Sequence, residues 1–322
     1  MLRNRYLAPV IFPHIVVNDL IPIEKEYARC ITILKHTGVL LSLPGSESNG
    51  VIGTDGREYP LPTEEQVLDL FIHNRELVER KVPQGFDHLQ ITPMAMPISD
   101  LIDLLRAAIL SRASYGDIYR TRHSSAEPPI PVRVDAIKAV WMWDVLRQAI
   151  DSDELVYFPQ EYSGGHRGQT KVEAANDGHI CAIPGWSVGL VENMPVMPQQ
   201  GQGQTLGGRR QLEVGFSPRD YLRMLKTKAY EGETGKTIED FVMGFLTRLE
   251  MTNEVSNDRY DNNSSWLLGQ YAEYVDRVKS DLVPTGWWHR DYGRVRLDAH
   301  RPGNRICTRS WGGPTVVRLV RP

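Results

Sequence analysis

Two histidines and one cysteine have the side-chain types that metal binding or general base catalysis would need. His166 and His179 lie thirteen residues apart, and Cys181 follows the second of them. Imidazole and thiolate groups can bind zinc, and a histidine can act as the base of a hydrolase or transferase. No carboxylate at a ligand spacing accompanies them. We therefore interpret them as loop residues and keep a hydrolase that uses loops 155–215 as an alternative.

Two glycine-rich stretches have the composition of phosphate-binding loops. A dinucleotide site needs a strand before its glycines and a helix after them. Prolines precede the glycines of 201–208, however, and 209–214 has an extended pattern. In 164–171 the lysine follows the threonine, which is the reverse of the order in a P-loop. Both stretches are interpreted as structural loops, and no cofactor is expected.

Other motifs of catalysis are weak or incomplete. His289-Arg290-Asp291 has the letters of a kinase catalytic loop, but the chain lacks an Asp-Phe-Gly segment and a glycine-rich loop followed by lysine. The three cysteines have no Cys-x-x-Cys spacing, which argues against a disulfide scaffold and a structural zinc site. These motifs therefore name no catalytic residue and no metal ligand.

Composition describes a folded protein of moderate size. The chain has 322 residues, of which 41% are hydrophobic and 24% are charged, and its formal net charge is −3. This length suits about two domains, and the small net charge excludes a molecule that binds nucleic acid or membranes with its whole surface. No apolar run is long enough for a signal peptide or a membrane span. We expect a cytoplasmic protein; association with a particle and export without a cleaved signal stay open.

Hydrophobic periodicity predicts an α+β fold, with a mixed, helix-rich N-terminal domain over 1–150 and a second domain over 151–322. Apolar residues at helical spacing predict helices over 63–82, from Ser99, over 135–150, from Ser217, from Thr237 and over 265–278. Short β-prone runs predict strands at 10–12, 15–17, 31–34, 39–41, 155–158, 186–191, 294–297 and 315–320.

The last thirty-seven residues, 286–322, have the most unusual composition in the chain. They contain eight arginines and no lysine, and tryptophan, tyrosine and histidine are interleaved with the arginines. Arginine stacks on rings and forms forked hydrogen bonds, whereas lysine is the more strongly hydrated side chain of an ordinary surface. Arginine and aromatic residues are also enriched at interfaces. The composition therefore predicts a local, basic contact surface.

A second oddity lies inside this segment. The twenty-two residues from His289 to Ser310 include no Lys, Glu, Gln, Met or Trp, although these five types make up 57 of the 322 residues. They are the types that cannot arise when the two adenines of an AAC or AAT codon are replaced by any base. Every residue in the window belongs to the reachable set.

The C-terminal motifs resemble the end of C-type-lectin-fold proteins of the formylglycine-generating-enzyme type. More narrowly, they are similar to the variable proteins of diversity-generating retroelements. In those proteins adenine-directed mutagenesis rewrites a C-terminal ligand-binding surface while the fold stays fixed. The motifs that carry the resemblance are Gly286-Trp287-Trp288, Arg294-Val295-Arg296-Leu297, Arg301-Pro302-Gly303-Asn304-Arg305, Trp311-Gly312 and Val317-Arg318-Leu319-Val320.

The resemblance implies a C-type-lectin-like domain over 151–322 in a bacterial or phage protein that binds ligands and is not an enzyme. Trp287, Trp288, Trp311 and Val317 would be scaffold, and the partner would be a protein or another acidic macromolecule. Along a strand, Arg294, Arg296 and Asp298 would point to one side. The implied ligand surface consists of His289, Asp291, Tyr292, Arg294, Arg296, Asp298, His300, Arg301, Arg305, Ile306, Thr308 and Arg309.

A nucleic-acid-binding module is the main alternative. Basic and aromatic residues together also suit a single-stranded backbone with stacked bases. Binding of that kind weakens steeply with salt, whereas a lectin-type protein site should depend much less on ionic strength.

The retroelement hypothesis makes a genomic prediction. We expect a reverse-transcriptase gene near this gene, and a template repeat of its 3′ end that differs from it only at adenines. Sequencing the locus checks both. If the locus lacks both, the diversification hypothesis is wrong, although the lectin fold is not affected.

Overall fold

A computed structural model describes residues 20–45, 48–193, 196–258, 264–275, 278–303 and 310–321, and the statements below concern those residues. The structure is 32% helical and 26% strand, which confirms the α+β class. None of the helices in these ranges is both long and apolar enough to cross a membrane.

Helices begin at capping side chains where the sequence provides them. The side chains of Thr63, Ser217 and Thr237 each accept a hydrogen bond from the backbone N–H three residues on, and the side chain at that position bonds back to the cap. These reciprocal bonds satisfy N–H groups that a helix start leaves unpaired. The helices are α1 (Ile23–His36), α2 (Glu64–His73), α3 (Arg75–Lys81), α4 (Ile98–Ser114), α5 (Asp144–Asp151), α6 (Lys171–Asn176), α7 (Pro218–Leu225) and α8 (Ile238–Thr252).

Strands are short in the N-terminal part and longer towards the C-terminus. They are β1 (Leu41–Ser42), β2 (Asn49–Ile52), β3 (Glu58–Pro60), β4 (Phe86–Thr92), β5 (Val140–Met142), β6 (Leu155–Tyr157), β7 (Ser187–Glu192), β8 (Thr205–Leu206), β9 (Arg209–Arg210), β10 (Glu233–Gly235), β11 (Ser264–Trp266), β12 (Gln270–Val275), β13 (Ser280–His289), β14 (Arg294–His300), β15 (Trp311–Gly312) and β16 (Thr315–Arg318).

Two larger sheets organise the molecule. One has the order β10-β16-β7-β4 and is antiparallel throughout. In the other, β13 pairs with β11 and β12 on one edge and with β14 on the opposite edge; β14 pairs in parallel with β5, and β12 pairs with β6. Both sheets therefore join strands from before and after residue 150, and the main hydrophobic cluster runs from Ile21 to Leu319.

Helix α8 lies at the centre of this cluster. It packs on β4, on β13, and on helices α1 and α4. An added Cβ at Gly286 of β13 would stand 2.8 Å from the Phe241 ring of α8, so the close approach of strand and helix requires glycine. The ring of Phe245, one turn further on, lies 6.4 Å from that of Trp288. The apolar side of the β13–β14 hairpin is thus held on α8.

A buried ion pair links α8 to the four-stranded sheet. The Arg318 guanidinium of β16 bonds the Asp240 carboxylate, and their side chains are 3% and 0% exposed. Arg318 also donates to Thr234 at 3.0 Å, and Asp240 accepts from Thr92 at 2.9 Å. Burial alone would raise the pKa of Asp240, but the Arg318 guanidinium and hydrogen bonds from Thr237 and Thr92 hold it below its ordinary value.

A second buried carboxylate joins elements that are distant in sequence. Glu233 on β10 accepts from Lys81 at 2.7 Å, from Arg209 at 2.7 Å and from Thr315 at 2.8 Å. Arg209 extends the network to Glu192 at 2.9 Å. Buried charges of this kind are tolerated because their hydrogen bonds are satisfied.

Several predicted elements are wrong. The β-prone run 31–34 lies in α1, whose buried residues follow a helical period that a four-residue window does not show. The helix predicted over 265–278 is replaced by β11 and β12, because pairing with β13 outweighs local preference. The helix predicted over 135–150 begins only at Asp144, after β5.

The remaining differences are small or untested. The helix predicted over 63–82 divides at Asn74 into α2 and α3, and the helix expected from Ser99 begins one residue earlier, at Ile98. The strands expected at 10–12 and 15–17 lie outside the described residues.

The Asp240–Arg318 pair makes a stability prediction. Replacing Arg318 by Met leaves a buried carboxylate without its cation, so we expect a loss of about 3–5 kcal/mol in the free energy of unfolding. Urea titration followed by circular dichroism measures this. The matched control is Arg321→Met, whose side chain is 55% exposed and 3.8 Å from Asp69; it should change stability by less than about 1 kcal/mol. Equal losses in the two variants would contradict the assignment.

Acid should weaken the same interaction. Because the pKa of Asp240 is lower in the folded protein, its stabilisation is complete above the unfolded pKa of about 3.9 and is lost as pH falls through the folded value. We expect Asp240→Asn to show a shallower decline of stability than the native chain below about pH 4. Urea midpoints measured at successive pH values check this. Parallel declines would show that Asp240 does not carry the effect.

Candidate ligand-binding face

The C-terminal hairpin is closed by a turn that requires glycine. Gly293 has φ 63°, and its N–H donates to the carbonyl of His289 at 2.8 Å. An added Cβ would stand 2.4 Å from the Arg133 carbonyl oxygen. Any other residue would meet both a strained backbone and a steric clash. The turn therefore fixes how the two strands face each other.

Strand β14 separates its side chains by alternation. Val295, Leu297 and Ala299 are buried, whereas the residues between them are partly exposed. Successive side chains of a strand point to opposite sides, so the partly exposed ones share one side, as the sequence predicts for Arg294, Arg296 and Asp298. We use the name hairpin face for these residues and two of the turn: Asp291, Tyr292, Arg294, Arg296, Asp298 and His300.

Aromatic rings hold the arginines of the hairpin face. The Arg296 guanidinium lies 4.3 Å from the Trp141 ring and 5.2 Å from the Trp287 ring. It also donates to Asp298 at 3.0 Å. Arg294 lies 4.7 Å from the Tyr292 ring and 3.6 Å from Asp135. Cation–π contacts of this kind restrain the guanidinium while its remaining N–H groups stay able to donate.

A cluster of buried tryptophans lies beneath the side chains of the hairpin face. Trp266, Trp287 and Trp311 are each 2% exposed. The Trp311 ring lies edge-on to that of Trp266 at a centroid distance of 4.8 Å and is tilted against that of Trp287 at 5.2 Å. The His300 ring lies 4.8 Å from that of Trp311. These contacts agree with the scaffold role expected for Trp287 and Trp311. Trp288 and Val317 are also buried, at 0% exposure.

Several buried donors under the face have no hydrogen-bond partner among the described residues. They are the indole N–H groups of Trp266, Trp287 and Trp311, the hydroxyls of Ser264 and Thr285, and the Nε atoms of Arg294 and Arg296. A buried polar atom without a partner costs about 1–3 kcal/mol. Such groups are few in native proteins, and an ordered water or a ligand can satisfy them.

The other residues of the implied ligand surface have different positions. His289 is 7% exposed and its ring lies 4.3 Å from that of Tyr292, so it backs the turn. Tyr292 is 50% exposed. Asp291 and Arg301 are exposed. The remaining members, Arg305, Ile306, Thr308 and Arg309, lie outside the described residues.

Two residues that touch the face were missed in the sequence. Trp141 was assigned to a helix, but β5 pairs in parallel with β14 and sets Trp141 opposite Arg296. Its position in a three-residue strand carries no periodic signal, so local pattern could not have found it. Arg290 was not included either; it bonds the buried Asp258 carboxylate at 2.7 Å and ties the turn to the segment after α8.

The residues considered for catalysis are not gathered into a site. His166 accepts from the backbone N–H of Gly168 at 2.9 Å, and His179 is exposed. Burial raises the pKa of the Cys30 thiol to about 11 and that of Cys181 to about 12, which leaves neither as a thiolate near neutral pH. Cys307 lies outside the described residues. Within the ranges described, no group of three or more His, Cys, Asp or Glu could hold a metal ion.

The glycine-rich loop 201–208 is closed on itself. The backbone N–H groups of Gly201 and Gly203 donate to the Glu213 carboxylate at 2.7 and 2.9 Å. Donors that would bind phosphate oxygens are therefore already bound to an internal carboxylate. This agrees with the structural interpretation of the loop.

Comparison with known proteins gives no relative. No family model, curated protein or solved structure matches the chain. The hairpin face must therefore be interpreted from its own geometry.

The alternation of β14 makes a prediction about tolerance. Replacing Arg294, Arg296, Asp298 and His300 together by Thr should lower the free energy of unfolding by less than about 2 kcal/mol, because only partly exposed contacts are lost. Replacing Leu297, on the same strand but facing α8, by Ala should cost about 2–5 kcal/mol. Urea unfolding of both variants tests this. If the fourfold variant is the less stable of the two, the hairpin face is a structural element and not a display surface.

Proposed function

We propose that this chain is a non-enzymatic recognition protein that binds a macromolecular ligand through the hairpin face. The observation that carries the proposal is the set of partly exposed β14 side chains held in register over a rigid tryptophan layer. A binding site needs side chains with fixed geometry, and such geometry is most accurate on a strand or helix with a packed support. Here Gly286 on the inward side of the hairpin packs on α8, whereas the tryptophan rings and the polar groups lie together on its outward side.

The composition of the face favours a protein ligand. Asp291 and Asp298 are interspersed with Arg294 and Arg296, so the face has both signs of charge, as protein interfaces do. Tyr292 is half exposed and lies beside an arginine, and these two residue types dominate binding hot spots. An acidic or mixed-charge protein surface is the partner that these side chains would recognise.

Nucleic acid is less well supported. Stacking of bases needs exposed ring faces, whereas Trp266, Trp287 and Trp311 are each only 2% exposed. Aspartates on the face would also repel a phosphate backbone. We therefore keep single-stranded nucleic acid as an outcome of the experiment below.

We further propose that the face is diversified by a retroelement and that residues 151–322 adopt a C-type-lectin-like fold. What supports diversification is the residue set of 289–310, together with the separation of inward and outward positions on β14. What supports the lectin-like assignment is the resemblance of the C-terminal motifs, with a long hairpin packed against a helix. Changes at outward positions would alter recognition while α8 and the inward residues stay in place.

A selection experiment tests the display function. The hairpin-face positions 292, 294, 296 and 298 are randomised with NNC codons, and the library is displayed on phage. The targets are three purified proteins, ovalbumin, serum albumin and lysozyme. We expect specific binders with dissociation constants in the micromolar range or tighter for at least one target. The matched control library randomises four exposed positions of α4 (Asp100, Asp103, Ala107 and Ser111).

Two results of the selection would contradict the display proposal. If the α4 library yields binders as often as the face library, or if neither yields any, the display proposal is wrong. The native chain is also titrated with a thirty-nucleotide oligo-dT at rising salt. Binding that is tight at 50 mM and falls at least a hundredfold by 200 mM NaCl would instead establish the nucleic-acid alternative.

A further inference from the structure

A second site of a different kind lies on the α8 side of the sheet, away from the hairpin face. A cleft of about 360 Å³ is enclosed by residues of α1, β4, β7 and α8, with Lys236 at the approach to α8. This volume is within the range of small-molecule pockets. Ser265 lines the cleft, whereas its neighbours Ser264 and Trp266 point to the opposite side of β11. The cleft does not depend on the function proposed for the hairpin.

Lys236 is partly buried, and it differs from the buried lysines Lys81 and Lys171. Lys81 lies 2.7 Å from Glu233, and Lys171 is paired with Glu239. The Lys236 ammonium, in contrast, has neither a hydrogen bond nor an ion pair within the part of the chain that the structure describes. It lies over Gly244 of α8, where an added Cβ would stand 3.9 Å from Nζ and 3.6 Å from Oε1 of Gln90.

Two hydrogen bonds hold the main chain at Lys236, so its side chain extends from an ordered segment of backbone. The Lys236 N–H donates to the Pro314 carbonyl at 3.4 Å, and its carbonyl accepts from Gly269 at 2.9 Å. Burial lowers the pKa of Lys236; Asp240 and Glu192 oppose this effect, and Arg318 adds to it. No described carboxylate lies within ion-pair distance of the ammonium, so an anionic ligand in the cleft would offset part of the cost of burying it.

The other charges of the cleft are neutralised by their own partners. Arg29 bonds Glu26 at 2.8 Å, and Arg248 is paired with Glu254. Glu192 bonds Arg209 at 2.9 Å. Among the described residues that line the cleft, Lys236 is thus a cation without an ion-pair contact, which matches a ligand with one negative charge. With no free guanidinium fork, a phosphate dianion is a poorer match than a carboxylate.

We propose that this cleft binds a small amphipathic carboxylate. Its carboxylate accepts hydrogen bonds from the Lys236 ammonium, and its apolar part packs against Leu89, Val191 and Phe241, which line the same cleft. Small-molecule sites combine apolar side chains with polar groups that fix the orientation of the ligand. Nothing in the hairpin face is needed for this binding.

The test uses sodium octanoate as the probe and isothermal titration calorimetry of the full chain at pH 7. We expect octanoate to bind the native chain, and Lys236→Met to weaken binding at least tenfold. Lys236→Arg, which keeps the charge, should bind within about fivefold of the native chain, and Lys228→Met, at an exposed lysine, should bind normally. 1-Octanol, which lacks the charge, should bind equally to the native chain and to Lys236→Met.

Two further measurements keep the proposal falsifiable if Lys236→Met does not fold. Gly244→Val retains the lysine but fills the space beside Nζ, and should weaken octanoate binding. In the native chain, carbodiimide activation of octanoate should form an amide at Lys236, which peptide mass spectrometry locates. The octanoate affinity should also fall as pH rises from 7 to 10, because the ammonium loses its proton while octanoate stays ionised.

Three results would contradict the proposal that the cleft binds a carboxylate. No octanoate binding at 10 mM, binding that is unchanged in Lys236→Met, or amide formation only at exposed lysines would each overturn the proposal. Loss of octanoate binding in the hairpin-face variants would also count against it, because those residues do not line the cleft.

Discussion

The ion pair between Asp240 and Arg318 is the interaction on which the rest of the molecule depends. The Asp240 carboxylate accepts a hydrogen bond from the backbone N–H of Thr237, the N-cap of α8, and also bonds Thr92 on β4 and Arg318 on β16. The start of the central helix is thereby fixed to the four-stranded sheet, and α8 in turn carries the hairpin through Gly286. The pair is worth little as a source of net stability, because both charges lose their hydration. Its importance lies in allowing one arrangement of helix and sheets.

The same chain of contacts explains why two sites can coexist. On the inner side of the seven-stranded sheet, α8 and β4 enclose a cleft in which Lys236 has no ion-pair contact with a described residue. On the outer side, the hairpin exposes a mixed set of charged and aromatic side chains. Between the two surfaces lies a close-packed layer of aromatic and branched side chains, and such packing resists rearrangement. We therefore interpret the two surfaces as separate, one shaped for a small molecule and one for a larger partner.

Sequence patterns predicted the parts of this fold that follow from local rules. The capping residues Thr63, Ser217 and Thr237, the helical stripe of α8 and the alternation of β14 each depend on neighbours in sequence. The pairing of β5 with β14, which brings Trp141 to Arg296, joins segments about 150 residues apart and follows from no local rule. For the same reason Lys236 was overlooked: its environment is made by β4, β7 and α8, and its sequence neighbours are unremarkable.

The inward residues of β14 have a consequence at the level of the gene. Val295, Leu297 and Ala299, which face α8, belong to amino acids with codons that contain no adenine, such as GTC, CTG and GCC. Aspartate and histidine codons, which encode the outward Asp298 and His300, always contain one. A copying process that makes errors only at adenines would pass over inward codons written in this way and change their neighbours. The two-residue period of the strand would then appear in the gene as an alternation between codons that mutate and codons that are preserved.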